Sequence, residues 1–345
     1  MIRLNASKCI RLLHKNIECN KCETICPVQA ITIGNKPLPS IDTSLCVGCG
    51  ACDGVCPTEA FSLNDFNPVS FVYDFVQKND NLISCKKNVP CICALNVEYI
   101  ISLAILNKEI IFDMGYCDNC NIASKCKPQI LKNYEEASYV LEAMQSQAII
   151  KLENVCYKDD NVKDNARKNL FHTIIKTPFE KEVLKTDDRL FSYILKREDN
   201  ALLKQKTVQE KTKILLTALK KMNKPNIYHV VDALELSFVS SKLMNADLCT
   251  ACRMCYIVCP TGALTSNIRN SKIDFDSMLC VKCNACHEVC EPDALTLSSS
   301  FNIKEFFVAQ AKNLILFDVR NCEKCGMIFS TNSDENFCPR CRVRI

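Results

Sequence analysis

The chain reads as an α+β protein built from five pieces, and three observations predict this. The spacing CxxCxxCxxxC occurs at Cys46 to Cys56, Cys249 to Cys259 and Cys280 to Cys290, and a fourth run, Cys9 to Cys26, keeps the tail of the pattern but has nine residues before its second cysteine. A strand, helix, strand pattern with cysteines at its tips follows the first pair of runs. Two CxxC knuckles close the chain. The expected pieces are residues 1–66 and 244–300 as two copies of one cysteine module, 67–130 as a small α/β domain, 131–243 as a mainly helical spacer and 301–345 as a knuckle tail. One module recurring far apart in sequence is the sign of an internal repeat.

Cysteine runs of this spacing are iron-sulfur ligand runs, and the four stretches resemble the bacterial-type dicluster ferredoxin. Ala30, Ala60, Ala263 and Ala294 each stand four residues after a run's last cysteine, and Pro27, Pro57 and Pro260 follow that cysteine directly; the fourth run has Glu291 before Pro292. The approaches repeat too: Asp42 stands four residues before Cys46 as Asp276 does before Cys280, and Asn5 precedes Cys9 as Asn245 precedes Cys249. The resemblance implies ferredoxin-like folds and four 4Fe-4S clusters, with the fourth cysteine of each run serving the other cluster. Cluster one then takes Cys9, Cys19, Cys22 and Cys56, and cluster two Cys46, Cys49, Cys52 and Cys26. Cluster three takes Cys249, Cys252, Cys255 and Cys290, and cluster four Cys280, Cys283, Cys286 and Cys259.

Composition points the same way. The chain has 27 cysteines in 345 residues and a net charge of +4. It starts without an apolar leader or small-residue cleavage site and contains no uncharged apolar stretch of membrane-spanning length, so a reducing cytoplasm is the expected compartment, where dense cysteines mean metal rather than disulfides. Peripheral membrane association stays compatible with this. Its seven glycines form no dinucleotide fingerprint and no phosphate loop, which excludes nicotinamide, flavin and nucleotide sites of those types. Cys283 to His287 matches the CxxCH haem pattern, but the iron-sulfur register already uses both cysteines. His287 is expected to be partly exposed and to tune a cluster through a hydrogen bond.

In the middle, Leu82 to Ser84 leads to Cys85, and Val89-Pro90-Cys91-Ile92-Cys93 leads into a helix-period run from Leu95 to Leu106. Glu109 to Asp113 reads as a strand ending at Cys117 and Cys120. Open α/β sheets place their sites at such strand ends. The layout loosely resembles small α/β domains with an extra iron-sulfur centre in hydrogenase-linked and heterodisulfide-reductase-linked subunits. The expected ligands are Cys85, Cys91, Cys117 and Cys120, with Cys93 and Cys126 in reserve. Iron-sulfur, structural zinc, and reduced or redox-paired cysteines remain alternatives. A helix start at Cys91 would favour its thiolate.

The spacer carries one cysteine, Cys156, expected to be a buried free thiol. Helices are expected at Ser138 to Ala148, Leu190 to Leu195 and Lys211 to Lys221, the last with an apolar stripe of Leu215, Leu216 and Leu219. Lys158 to Lys242 holds 18 basic against 12 acidic residues, either a solvated face or a docking surface for an acidic partner. Aromatics do not interleave with these charges, so nucleic acid is not an expected partner.

Cys322, Cys325, Cys338 and Cys341 form two knuckles joined by twelve residues, long enough for one hairpin. Four thiolates in a closed tetrahedron hold structural zinc, and the tail resembles a zinc ribbon; a rubredoxin-type iron site is the alternative. The whole pattern resembles polyferredoxins and, more weakly, iron-sulfur proteins associated with formate dehydrogenases and hydrogenases. That implies an electron-transfer or accessory subunit of an oxidoreductase, rather than a stand-alone enzyme, relaying electrons between redox partner proteins. An assembly factor for an iron-sulfur or molybdenum oxidoreductase, or a redox-sensing zinc-ribbon protein, is the competing class.

Overall fold

The computed structural model describes residues 2–158, 206–308 and 310–342. The chain mixes helix and strand and divides into two units, one holding residues 2–9, 20–158 and 209–229, the other 10–19, 206–208 and 230–342. The helix expected at Leu190 to Leu195 and most of the basic stretch lie outside the described residues.

Each ligand run is entered through one kind of turn. The side-chain oxygens of Asn5, Asp42, Asn245 and Asp276 accept the backbone N–H two residues on, from Ser7, Ser44, Asp247 and Met278, at 3.1, 2.9, 3.0 and 3.0 Å. A short polar side chain so placed starts the turn that delivers the cysteine. The same four residues tie each run to its partner: Asn5 and Asn245 donate backbone N–H groups to Ala60 and Ala294, and Asp42 and Asp276 to Ala30 and Ala263, at 2.7 to 2.8 Å. The four alanines are almost fully buried, so a larger side chain has no room there.

Inside the CxxCxxC loops the backbone turns left-handed at Gly48 and Gly50, at Ala251 and Arg253, and at Lys282 and Asn284. It does so again three residues past each last cysteine, at Gln29, Glu59, Gly262 and Asp293. Glycine enters this region freely; Ala251, Arg253 and Lys282 do not. Repeated strain at equivalent positions marks the loops as ligand clamps.

In the first unit β1 (Ile2–Leu4) pairs with β4 (Phe61–Leu63), and β2 (Ile31–Thr32) with β3 (Ser40–Ile41), all antiparallel. The short helices α1 (Lys21–Ile25) and α2 (Ala51–Gly54) carry Cys22 and Cys52. Asn67 caps α3 (Pro68–Gln77), accepting from Val69 and Ser70, with Pro68 at the favoured first position. Then β5 (Leu82–Ile83), β6 (Glu109–Asp113) and β7 (Ile149–Glu153) form a parallel sheet in the order 5-6-7. The crossovers are α4 (Val97–Asn107) and α5 (Ala123–Ala143). The α/β segment therefore runs past residue 130 to β7. Where a helix was expected from Ser138 to Ala148, α5 stops at Ala143 because Gln145 takes a φ of +54° and Ser146 N–H bonds Leu141 O at 2.9 Å.

α4 is buried on nearly all sides because α3, α5 and α6 (Glu210–Lys221) pack around it. α6 brings one buried ion pair, Lys211 Nζ to Glu98 Oε1 at 3.1 Å. Its N-terminus is capped by Glu59, which accepts the N–H groups of Glu210 and Lys211 at 2.9 and 3.0 Å and the Tyr99 hydroxyl at 3.1 Å. A carboxylate at that end satisfies orphan donors and the helix dipole together.

The turn Ile92–Ala94 packs on α2. A Cβ at Gly54 would stand 2.2 Å from the Cys93 carbonyl oxygen, a backbone atom that cannot swing away. Gly54→Ala is expected to lower stability by about 1–3 kcal/mol through overpacking, read as an earlier denaturation midpoint. An unchanged midpoint would show that the turn gives way freely.

In the second unit β8 (Val230–Asp232) pairs with β13 (Ser300–Asn302), and β9 (Lys242–Met244) with β12 (Leu295–Leu297). β10 (Leu264–Thr265), β11 (Lys272–Phe275) and β14 (Lys312–Leu316) make one antiparallel sheet. The helices α7 (Met254–Ile257) and α8 (Ala285–Glu288) carry Cys255 and Cys286. The nine residues between Cys9 and Cys19, where the other runs have two, have a structural use: Ile10 and Ile17 are buried in one cluster with Val258, Ala285 and Val289, and Glu18 N–H donates to Glu288 Oε2 at 2.6 Å.

In the tail, β15 (Asp318–Asn321) pairs with β16 (Ile328–Thr331). The hairpin thus lies around the first knuckle, Cys322 to Cys325 at its turn, rather than between the knuckles as expected. The second knuckle opens the short helix α9 (Pro339–Arg342). Among the described residues no helix is long and apolar enough to cross a membrane.

Candidate metal centres

In the second module four of the expected ligands line one cavity. The cavity is lined by Cys249, Cys252, Cys255 and Cys290, together with Met244, Ile273, Ala294 and Leu295. These thiols belong to two different runs. On the other side Cys259 faces Cys283: burial pushes the Cys283 thiol up, and the charges of Cys259, Cys280 and Cys286 add to the effect. Cys286 is pushed up to about 12, first by burial, with Cys259 and Cys280 contributing. Buried thiols set against one another resist ionising, so such a set holds four thiolates only around a cationic centre. All-sulfur donors with one thiolate per iron fit a cubane.

Hydrogen bonds to the sulfurs recur across the modules. Ala30 N–H donates to Cys26 Sγ at 3.2 Å, Ala60 N–H to Cys56 Sγ at 3.3 Å and Leu264 N–H to Cys259 Sγ at 3.4 Å. Ser240 Oγ lies 3.2 Å from Cys280 Sγ. Such bonds stabilise the charged form of the sulfur and tune a cluster's potential. In the first module Cys52 is pushed up by burial, then by Cys49, with Cys22 of the other set adding to it. Beside it the buried Asp53 carboxyl is raised to about 7, first by burial and then by Glu59. Cys9, Cys22 and Cys56 belong to the first unit; Cys19 ends the 10–19 segment that packs in the second.

The middle cysteines converge at the carboxyl edge of the parallel sheet. Cys117 is raised to about 11 by burial and then by Cys91, Cys85 and Cys120, and Cys85 is raised by burial, then Cys91, with Cys120 also contributing. Cys85, Cys91 and Cys120 thus all act on Cys117, and Cys91 and Cys120 on Cys85. Cys91 is lowered, first through a hydrogen bond with the Cys126 thiol. It sits at the start of the Ile92–Ala94 turn, and α4 begins only at Val97 under an Asn96 cap, so the helix-start explanation gives way to a sulfur contact. Cys126 also acts on Cys93 and Cys49, and its thiol beside Cys49 draws that cysteine down to about 6. One buried thiol thus touches both a ferredoxin-run cysteine and a middle-site cysteine.

Cys156 is exposed rather than buried. It follows β7 with a φ of +50°, and its N–H donates to Asp113 Oδ1 at 3.0 Å. Gly115 leaves it room, since a Cβ there would stand 2.4 Å from the Cys156 sulfur.

In the tail the thiols of Cys322, Cys325, Cys338 and Cys341 lie within 4.8 Å of one another, with Cys325 and Cys338 sulfurs 3.7 Å apart. Four thiolates at a zinc–sulfur length of about 2.3 Å stand roughly 3.8 Å apart in a tetrahedron, so the spacing suits one ion. A backbone N–H bond draws Cys322 down to about 6, while sulfur neighbours, Cys325 first, push Cys341 up to about 12.

His287 does not meet a thiolate. Its Nε2 lies 2.7 Å from Lys242 Nζ and its Nδ1 2.9 Å from Leu295 O, and burial followed by the Lys242 charge lowers it to about 4. Lys242, Lys211 and Glu59 carry no motif, and none of them stands out in the chain alone.

Comparison with known families agrees with this geometry. Residues 16–60 match a 4Fe-4S dicluster domain family, and residues 241–291 match a second 4Fe-4S dicluster domain family. The chain thus carries two ferredoxin-type dicluster domains, the make-up of an iron-sulfur electron-transfer protein. No curated protein matches the chain.

Proposed function

We propose that this protein relays single electrons between redox partner proteins through four 4Fe-4S clusters held by the crossed cysteine sets. The cavity lined by Cys249, Cys252, Cys255 and Cys290 carries the reading, because it gathers thiols from two runs. A bound cluster supplies one-electron chemistry without group transfer. The chain's part is to hold the thiolates and direct N–H groups at Cys26, Cys56 and Cys259. Cys85, Cys91, Cys117 and Cys120 would hold a fifth centre, linked to the second cluster's Cys49 through Cys126. The tail would hold zinc as a structural ion. The partners would be oxidoreductases of the formate dehydrogenase or hydrogenase kind, as the resemblance implies.

Anaerobically purified protein is expected to contain about sixteen cubane irons, with further iron from the middle site, and to show 4Fe-4S spectra on reduction. Elemental analysis with EPR measures both. A total near eight irons would mean that one module is empty, and absence of cubane signals would end this reading.

A further inference from the structure

The loops that leave all three strands of the parallel sheet meet at one buried carboxylate. Asp113 closes β6, the middle strand, and is 1% exposed. Its Oδ2 accepts the Ser84 hydroxyl at 2.8 Å and the Tyr157 N–H at 3.0 Å. Its Oδ1 accepts the N–H groups of Gly115 and Cys156 at 3.1 and 3.0 Å. Ser84 directly follows β5, Gly115 lies just past β6, and Cys156 and Tyr157 lie just past β7. A carboxylate has about four acceptor positions; here four neutral donors fill them, which offsets the cost of burying it. An apolar side chain at this point could pack, but it could not tie three loops together.

The residues so held stand beside cysteines. Ser84 precedes Cys85, and its carbonyl accepts the N–H groups of Lys87, Asn88 and Val89 at 3.0 to 3.3 Å, the turn that carries the chain on to Cys91. Gly115 stands two residues before Cys117. A second set of contacts joins the same loops: Lys86 Nζ lies 5.4 Å from the Tyr116 ring centroid and Lys87 Nζ 5.5 Å from that of Tyr157, while the Tyr116 hydroxyl donates to Tyr157 O at 2.7 Å. Cations at this range are attracted to the ring face. The residue after Cys85 is thus docked on the residue before Cys117. We propose that Asp113 is the positioning residue of the middle centre, fixing the loops of Cys85, Cys91 and Cys117 in place before the metal binds. The inference rests on the reading of a fifth centre at Cys85, Cys91, Cys117 and Cys120. Asp113 acts through backbone N–H groups and a hydroxyl, and groups that orient ligands from behind change metal affinity by about 10- to 100-fold.

The test is a chelator titration of the anaerobically purified full chain, with bound iron and zinc both counted. Cys117→Ser defines the metal of the middle centre as the amount that it lacks. The EDTA concentration that removes half of this metal is expected to fall about 10- to 100-fold in Asp113→Asn, because the amide group meets two of the four donors with a donor of its own. Hydrogen exchange in β6 and β7 should stay slow and the cubane spectra should match those of the wild type. An unmoved half-removal point in folded Asp113→Asn would overturn the proposal, even with a lower thermal midpoint. If fast exchange in β6 and β7 shows that this variant does not fold, Ser84→Ala decides, since it deletes one of the four bonds without adding a donor. It should lower the half-removal point as well, and no change would overturn the inference. A Cys117→Ser chain with the full wild-type metal content would instead defeat the fifth-centre reading, and the inference with it.

Discussion

Cys338→Ser in the full chain is expected to remove one zinc and melt the C-terminal hairpin while leaving the cubane spectra intact. The tail's buried cluster consists of Cys322, Phe329, Cys338 and Cys341, with Phe337 packed against it. Burying one phenylalanine contributes about 1.5–3 kcal/mol, and an isolated two-stranded hairpin is marginal in water. Binding of structural zinc supplies an apparent 10–16 kcal/mol, roughly five times as much. The metal therefore decides whether this segment folds. Hydrogen exchange over residues 318–342 should rise to the rate of an unfolded peptide in the variant. Retained protection, or unchanged zinc content, would show that packing holds the tail or that the ion sits elsewhere. Ser330 Oγ donates to Arg269 O at 3.0 Å and Asn332 Nδ2 to Ala246 O, neutral contacts worth about 1 kcal/mol each, too little to rescue the hairpin.

The four ligand runs were legible because their information is local. Cysteine spacing, the Asn or Asp four residues upstream and the buried alanine four residues downstream all act within a dozen positions, so the chain announces them. The strand β6 and the helix α4 were legible for the same reason, each having a clean period. What stayed hidden depends on distant partners. Ile10 and Ile17 look like an arbitrary insertion until Val258, Ala285 and Val289 are beside them. The contact between Cys49 and Cys126 joins residues far apart in sequence, and no pattern pairs two thiols when the chain offers 27. β7 follows a long helix after a short turn, and five alternating residues are too few to outweigh the helical period before them. Lys242 is only the end of a basic stretch in the chain; in the folded module it is buried against His287 and Phe275.

Cys290→Ala is expected to abolish the centre formed by Cys249, Cys252 and Cys255 and to spare the one formed by its own sequence neighbours. If each run served a single centre, the loss would fall on Cys280, Cys283 and Cys286 instead. Two observations support the crossed case: Cys290 shares its cavity with the first three thiols, and the effect of burial on Cys249 is reinforced by the charges of Cys252 and Cys290. Cys259 meanwhile acts on Cys283 and Cys286. Losing one thiolate leaves an iron without its ligand in a site with only three sulfurs left, so the expected result is loss of about four irons. Cys259→Ala should do the converse. The strands that frame the module, β9 with β12 and β10 with β11, are two to four residues long, below what holds a sheet together unaided. Each single variant should therefore loosen the backbone around its empty site, seen as faster hydrogen exchange there, while the other site keeps its spectrum. Loss of the Cys280 signal in Cys290→Ala, with the Cys249 signal retained, would contradict the crossing. Loss of both at once would mean that the two centres form one folding unit.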